Sequence, residues 1–170
     1  MDDRAVVAEQ IGREPRAFRR VVVRCPFGYP AVTEQSPYDE AGAPFPTTYW
    51  LTCRHLVAAL ARLEAAGGVE HWSAAARSDA ELAASLARAN AEQLEIRRAL
   101  ADGGPRPDAG ASLDLGIGGS SRTGSLKCLH AHVAYALAHP GYELGRRVLE
   151  EVEPRWPPQR CCSAGGEGCA

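Results

Sequence analysis

The chain has 170 residues, 45% of them hydrophobic, and a formal net charge of −2 at pH 7. This length predicts one domain whose core is large enough to fold without metals or disulfides. The charge balance argues against nucleic acid and acidic membrane surfaces as partners, and the apolar runs fall short of the ~20 residues that span a bilayer.

The first third of the chain predicts a short helix followed by a small β-sheet. Residues 4–11 form the helix, which Gly12 ends. The β-branched run Val21–Val23 predicts a strand over 20–24, and a second short strand is indicated over 31–33. Residues 47–52 give the best further strand. We expect the sheet to use the Val21–Arg24 and Thr47–Thr52 segments, in an order that the sequence does not specify.

The rest of the chain predicts mostly helices. Glycines and prolines separate them, and Ser78-Asp79 is a typical N-terminal cap. The expected helices cover residues 54–66, 79–101, 123–138 and 142–152. We therefore predict one helix-dominated α+β domain over residues 1–153. Residues 154–170 are rich in Pro, Gly and Cys and are expected to form a mobile tail.

Lys127-Cys128-Leu129-His130-Ala131-His132 is the most informative run of the sequence. In a helix, Cys128 and His132 would share one face, one turn apart, with Tyr135 and His139 beyond them. Leucines and a valine would cover the opposite, core-facing side. A thiol and an imidazole at this spacing suit either a metal ion or a nucleophile with its base.

Two further cysteines lie at element boundaries. Cys53 stands where a strand passes into a helix, and the partial positive charge of a helix N-terminus favours the thiolate form. Cys25 ends the valine strand. The start Met1-Asp2-Asp3-Arg4 does not have the pattern of a signal peptide, so we expect a cytoplasmic protein whose six cysteines are mostly thiols.

The leading hypothesis is a metal-binding protein of unknown activity. Three thiolates and one imidazole suit tetrahedral zinc, and three thiolates alone could hold an iron–sulfur cluster. The local C-x-x-C signature of zinc ribbons is absent from the sequence. The proposed ligands are Cys25, Cys53, Cys128 and His132.

A glycine-rich loop over residues 116–121 precedes the helix that carries the Cys128 run. Consecutive small residues let backbone N–H groups gather around an anion, so a small anionic substrate could bind there. The loop matches neither the P-loop nor the dinucleotide-binding pattern, which favours a flexible connector over an anion site. The candidate anion-binding residues are Gly116, Gly118, Gly119 and Ser120.

Two other functions stay open at this point, and so does the question whether the protein is an enzyme. A metal-free thiol enzyme could use Cys53 as nucleophile and His132 as general base. A non-catalytic interaction protein could dock a partner on the 79–101 helix. The pattern assigns no role to Cys161, Cys162 or Cys169, and it identifies no protein partner.

Several motifs in one order carry a family resemblance. They are Arg24-Cys25-Pro26-Phe27-Gly28-Tyr29-Pro30, Pro44-Phe45-Pro46-Thr47, Trp50-Leu51-Thr52-Cys53, Gly116-Ile117-Gly118-Gly119 and the Cys128 run. From about Ile11 to about Glu153, the chain resembles the bacterial family catalogued as domain of unknown function 501. The resemblance implies a complete small cytoplasmic protein and supplies no activity. Similar proteins have proline where this chain has Arg54, which places a cation beside the Cys53 thiol.

Overall fold

A three-stranded antiparallel sheet and six α-helices make up the part of the chain that the computed structural model describes, residues 1–101, 103–122 and 124–164. This arrangement confirms the predicted α+β class. The strands are β1 (Phe18–Arg24), β2 (Pro30–Gln35) and β3 (Tyr49–Leu51). The helices are α1 (Asp3–Ile11), α2 (Arg54–Ala65), α3 (Gly68–Ser78), α4 (Ala80–Leu100), α5 (Leu129–Ala138) and α6 (Glu143–Glu150).

The strand that the sequence marks least strongly is the central one. The sheet order is β1-β2-β3, and Val32 of β2 pairs with Val23 on one side and Leu51 on the other. All six residues of β2 are buried, including Glu34. This carboxylate accepts two hydrogen bonds of 3.0 Å from Arg20, so its burial leaves no unpaired charge.

Helix α4 begins and α1 ends at the residues that the sequence indicates. The side chain of Asp79 accepts hydrogen bonds from the N–H groups of Glu81 and Leu82, which are among the donors that a helix start leaves unpaired. Gly12 ends α1 with φ +70°, in the left-handed region that favours glycine. These two helix boundaries therefore coincide with local signals that the sequence itself contains.

Helix α3 is not predicted, and the pair Gly67-Gly68 explains how it forms. Gly67 has φ +90° and reverses the chain directly after α2. Gly68 then begins α3 so close to α2 that a Cβ there would lie 2.8 Å from the carbonyl oxygen of Leu63. One glycine thus makes the turn and the other permits the close contact, so that two helices follow each other without a loop.

Helix α5 forms the centre of the core. Leu129, Val133, Ala134 and Tyr135 are each at most 1% exposed, and the helix packs against both β3 and α6. It begins at Leu129, whereas the sequence predicts a start near Thr123, which lies outside the described residues. Cys128 precedes the helix with extended backbone angles, φ −156° and ψ 147°. The helical face predicted to join Cys128 to His132 therefore does not exist.

Residues 154–164 lie against the domain. Pro154 O is 2.8 Å from His55 Nε2, and Gln10 Nε2 donates to Ser163 Oγ at 2.9 Å. Cys161 is buried in the common core. Packing thus continues past the predicted boundary at residue 153, while residues 165–170 of the expected mobile tail lie outside the described part. None of the described helices has the length and apolar character needed to cross a membrane.

Candidate functional site

A cleft of about 420 Å³ opens where α1, β3 and the first turns of α2 and α5 meet. It joins two segments that the sequence singles out, Trp50–Arg54 and Cys128–His130. The lining is mainly apolar, with a few polar groups among it. The lining residues are Gln10, Ile11, Trp50, Leu51, Thr52, Arg54, Val57, Cys128 and His130.

Thr52 contributes a buried hydroxyl to this cleft. The residue is 1% exposed, and its backbone N–H donates to Ala31 O at 2.9 Å. Its Oγ1 has no hydrogen-bond partner among the described residues. A buried hydroxyl without a partner costs free energy, so a ligand atom that accepts a hydrogen bond there would recover it.

Arg54 contributes a positive charge. Its Nε donates to Gln10 O at 3.2 Å and its Nη2 to Glu9 O at 2.5 Å, which fixes the guanidinium between α2 and α1. Both partners are neutral carbonyl groups, and in the described part of the chain no carboxylate forms an ion pair with Arg54. The cleft therefore has a positioned cation whose charge is available to an anionic group.

Cys128 is the one half-buried member of the four free cysteines, the other three being buried. Burial raises the pKa of its thiol above the usual range, and nearby Glu64 raises it further. The backbone N–H groups of His130 and Ala131 and the charge of Lys127 act in the opposite direction. At neutral pH the cleft thus contains a protonated thiol that solvent can reach.

His130 is held by two acceptors, one of which is a residue that sequence reasoning missed. Its Nδ1 is 3.0 Å from Glu64 Oε1 and its Nε2 is 3.1 Å from Val57 O. Glu64 also accepts a 2.5 Å hydrogen bond from the N–H of Leu129, at the start of α5. No sequence signal links Glu64 to α5, because the two are joined only by folding.

The structure places Cys25 and Cys53 together with Cys161, which the sequence left unassigned. Cys53 is the N-cap residue of α2, as predicted. Burial raises the pKa of its thiol, and the proximity of Cys161 and Cys25 raises it further; the first-turn N–H groups of α2 lower it. Helix position alone therefore does not make Cys53 a thiolate, since burial in the core is the larger effect.

His132 is buried beside Tyr142. It is 1% exposed, its Nδ1 is 2.7 Å from the hydroxyl oxygen of Tyr142, and its Nε2 has no partner among the described residues. Burial lowers the pKa of the imidazole to about 3, so the ring is neutral over the physiological range. No described contact joins His132 to Cys53, so the predicted nucleophile–base pair remains without structural support.

The predicted metal ligands divide among three places. Cys25 and Cys53 lie beside Cys161, Cys128 lies in the cleft, and His132 lies against Tyr142. Within the described ranges, no group of three or more His, Cys, Asp or Glu side chains is arranged to hold a metal ion. Zinc ligands lie at about 2.0–2.3 Å from the ion, and the described contacts do not bring these four residues together, so the zinc or iron–sulfur site has no support from the structure and stays a prediction.

Three backbone N–H groups of the glycine loop already donate hydrogen bonds to other groups of the protein. Gly116 donates to Ser120 O at 2.8 Å, Ile117 donates to Asn90 Oδ1 at 2.9 Å, and Gly119 donates to Gly116 O at 3.0 Å. An anion would have to compete with these bonds, so the contacts give the predicted anion site no support.

Close packing explains the glycines of this loop better than ligand binding does. A Cβ at Gly116 would lie 2.7 Å from Asn90 Oδ1, and one at Gly119 would lie 2.9 Å from Pro46 Cβ. Gly118 and Gly119 also have φ of +69° and +75°, in the left-handed region. The loop therefore fastens α4 and the segment before β3 to the start of α5.

The buried His132 predicts a dependence of stability on pH. Its pKa falls from 6.5 to about 3 on folding, so the unfolded chain binds more protons between these values and stability decreases as pH falls through this window. We expect His132→Gln to remove a slope of up to ~1.4 kcal/mol per pH unit between pH 6 and 5, measured by urea unfolding. His71→Gln, at an exposed histidine, is the control and should keep the wild-type slope; equal slopes in all three proteins would contradict the assignment.

Comparison with known proteins identifies the family and no activity. The model of the family described as "Protein of unknown function (DUF501)" matches residues 21–150, about three quarters of the chain. The chain belongs to this family. No curated protein and no solved structure matches the chain.

Proposed function

We propose that the protein binds a small carboxylate with an apolar body in the cleft between α1, β3, α2 and α5. The observation that carries this proposal is the meeting of an unpartnered buried hydroxyl, Thr52, and a fixed cation, Arg54, in a mainly apolar cleft. Concave apolar sites with a few convergent polar groups are the usual form of ligand sites in proteins.

The walls of the cleft suit the apolar part of such a ligand. Ile11 from α1, Trp50 and Leu51 from β3, and Val57 from α2 supply apolar surface on three sides. The volume of about 420 Å³ falls within the ~300–1,000 Å³ of typical ligand clefts. Burying the ligand's hydrocarbon against these side chains would supply most of the binding free energy.

The polar groups suit the carboxylate end. The buried Thr52 hydroxyl can donate one hydrogen bond, and the exposed guanidinium of Arg54, which lines the same cleft, can add a charge-assisted bond. Two neutral carbonyls already orient Arg54, so little side-chain entropy remains to be lost on binding. The ligand class agrees with the small anionic substrate that the sequence suggests, but the supporting groups lie in this cleft and not in the glycine loop.

Binding of octanoate, compared with neutral octan-1-ol, tests the proposal. We expect octanoate to bind more tightly, as measured by isothermal titration calorimetry. Thr52→Val and Arg54→Gln should each weaken octanoate binding roughly 10-fold or more, because a hydrogen bond to a charged group contributes ~1.5–3 kcal/mol. Arg62→Gln, at an exposed arginine of the same helix, is the matched control and should bind octanoate like the wild type.

Alkylation of Cys128 gives a second readout of the same site. Iodoacetamide should modify the half-buried Cys128 before the buried Cys25 and Cys53, and octanoate should slow this modification because Cys128 lines the cleft. Peptide mass spectrometry follows each thiol separately. Equal binding of octanoate and octan-1-ol, or an alkylation rate of Cys128 that saturating octanoate leaves unchanged, would contradict the proposal.

A further inference from the structure

Three buried thiols from distant parts of the sequence meet in the core, and we call them the thiol cluster: Cys25, Cys53 and Cys161. Cys25 follows β1, Cys53 precedes α2, and Cys161 belongs to the segment beyond α6. Each is at most 6% exposed, and all three are free thiols. The ligand-binding proposal does not use any of them, and the described residues do not arrange them around a metal position.

Within the thiol cluster, Cys25 and Cys161 lie on segments that one side chain joins. Gln10 Nε2 donates to Pro30 O and to Ser163 Oγ, both at 2.9 Å, and Pro30 pairs with Arg24, the neighbour of Cys25. The N–H of Ser163 donates to Cys161 Sγ at 3.4 Å. Burial raises the pKa of the Cys161 thiol, and the adjacent Cys25 side chain raises it further. Cys53 lies near enough to Cys161 and Cys25 to affect the titration of its own thiol: burial raises the pKa, these two neighbours raise it further, and the N–H groups at the start of α2 lower it. The pairing of Cys25 with Cys161 therefore needs the smaller rearrangement.

The segment that carries Cys161 is the part of the cluster best able to move. Residues 154–164 contain neither a helix nor a strand, and their contacts with the domain include those with His55 and Gln10. Segments of this kind open at a lower free energy than core helices and strands. A small oxidant can thus reach Cys161 without unfolding of the domain.

We propose that Cys25 and Cys161 form a reversible disulfide when the protein meets hydrogen peroxide. In the first step the Cys161 sulfur attacks one peroxide oxygen, the O–O bond breaks, and the products are a sulfenic acid on Cys161 and water. In the second step the Cys25 sulfur attacks the Cys161 sulfur, the S–O bond breaks, and a second water leaves with the Cys25 proton. The two thiols lose two electrons and peroxide gains them.

The disulfide would fasten the segment beyond α6 to the turn between β1 and β2. It would link residues 136 positions apart, and cross-links that close long loops restrict the unfolded chain most. The expected result is a rise in Tm of roughly 5–10 °C after oxidation, together with slower protease cleavage of residues 154–164.

Peptide mapping of the whole chain tests the disulfide directly. The protein is first reduced, then treated with hydrogen peroxide, and digested without reductant. We expect a peptide that joins Cys25 to Cys161 and disappears on treatment with dithiothreitol. Cys162 is disulfide-bonded in the structure and becomes a thiol in the reduced protein; because it shares a peptide with Cys161, fragment spectra and the Cys161→Ser variant assign the sulfur.

Single cysteine-to-serine variants distinguish formation of this disulfide from nonspecific oxidation of the thiols. Cys25→Ser and Cys161→Ser should each abolish the cross-link and the rise in Tm, whereas Cys128→Ser, at the thiol of the cleft, should retain both. The peptide map of the wild-type protein tests for the Cys25–Cys161 disulfide even if a variant fails to fold. A cross-link between Cys53 and Cys161, or oxidation of Cys128 with no cross-link at Cys25, would overturn the proposal.

Discussion

Replacing Arg97 with methionine is expected to lower the free energy of unfolding by about 3 kcal/mol. The side chain is fully buried, and its guanidinium donates to Ser112 O at 2.9 and 3.2 Å, to Phe45 O at 3.0 Å and to Thr48 Oγ1 at 3.3 Å. One cation thereby joins α4 to the two loops on either side of it.

Two opposing effects decide the size of this loss. Burial lowers the pKa of Arg97, which shows that the folded protein sustains a desolvation cost that methionine would remove. Methionine would, however, leave the carbonyl oxygens of Phe45 and Ser112 without a donor, at ~1–3 kcal/mol for each, and would also lose the stronger charge-assisted bonds. The orphaned carbonyls and lost bonds together exceed the recovered solvation, so the net effect is destabilising.

Urea unfolding measures the Arg97 effect, and the neighbouring residue supplies the control. Arg98 is about half exposed and pairs with Glu95 and Asp114 at the surface, so Arg98→Met should change the free energy of unfolding by less than ~1 kcal/mol. Limited trypsin digestion should also cleave Arg97→Met faster after Arg106, because the loop loses its anchor. Equal stability of the two variants would show that the carbonyl contacts contribute little.

Gly145→Ala is expected to destabilise the protein by about 2–3 kcal/mol although alanine is the better helix former. A Cβ at Gly145 would lie 2.7 Å from three atoms, namely Ala136 Cβ, His132 O and Tyr142 Cδ1. Overpacking by one methyl group typically costs ~1–3 kcal/mol and occasionally more, and contact with three atoms at once places Gly145 at the upper end or beyond; the helix preference for alanine returns only ~1 kcal/mol. Backbone and Cβ atoms cannot move aside as a flexible side chain can, so α6 has to shift away from α5.

The matched control for this substitution lies four residues earlier. Gly141 has no atom within 4 Å of an added Cβ, so Gly141→Ala should leave the stability within ~0.5 kcal/mol of the wild type. Thermal unfolding followed by circular dichroism should show Tm of Gly145→Ala lowered by roughly 5–10 °C. A Tm for Gly145→Ala at or above the wild-type value would contradict the packing of α6 on α5.

Local signals account for the parts of the fold that the sequence predicts correctly. Asp79 and Gly12 set helix boundaries through their own geometry, and the β-branched run of β1 needs no partner to be recognised. The central position of β2 was not predictable in this way, because its buried Glu34 depends on Arg20 of the neighbouring strand. The sequence does not predict α3, because two consecutive glycines are typical of the end of a helix, whereas here Gly67-Gly68 connects α2 directly to a second helix.

The candidate site was less predictable because its groups meet only after folding. The sequence draws attention to the segments around Cys53 and Cys128, and both do border the cleft. It could not show that Cys128 precedes α5 and does not belong to it, since Glu64, from a remote helix, binds the first N–H of α5. Nor could spacing indicate that Cys161, beyond the last helix, would meet Cys25 and Cys53.

The two outer strands of the sheet bear on how copies of this protein behave at high concentration. An outer strand can recruit a strand from another molecule through its unpaired backbone groups. β3 has only three residues, and β1 has register irregularities and carries Arg19, Arg20 and Arg24. The short β3 offers few backbone groups to another strand, and the irregular register and arginines of β1 disfavour pairing at the opposite edge. At high concentration, the two edges of this sheet are therefore poor templates for a strand from another copy.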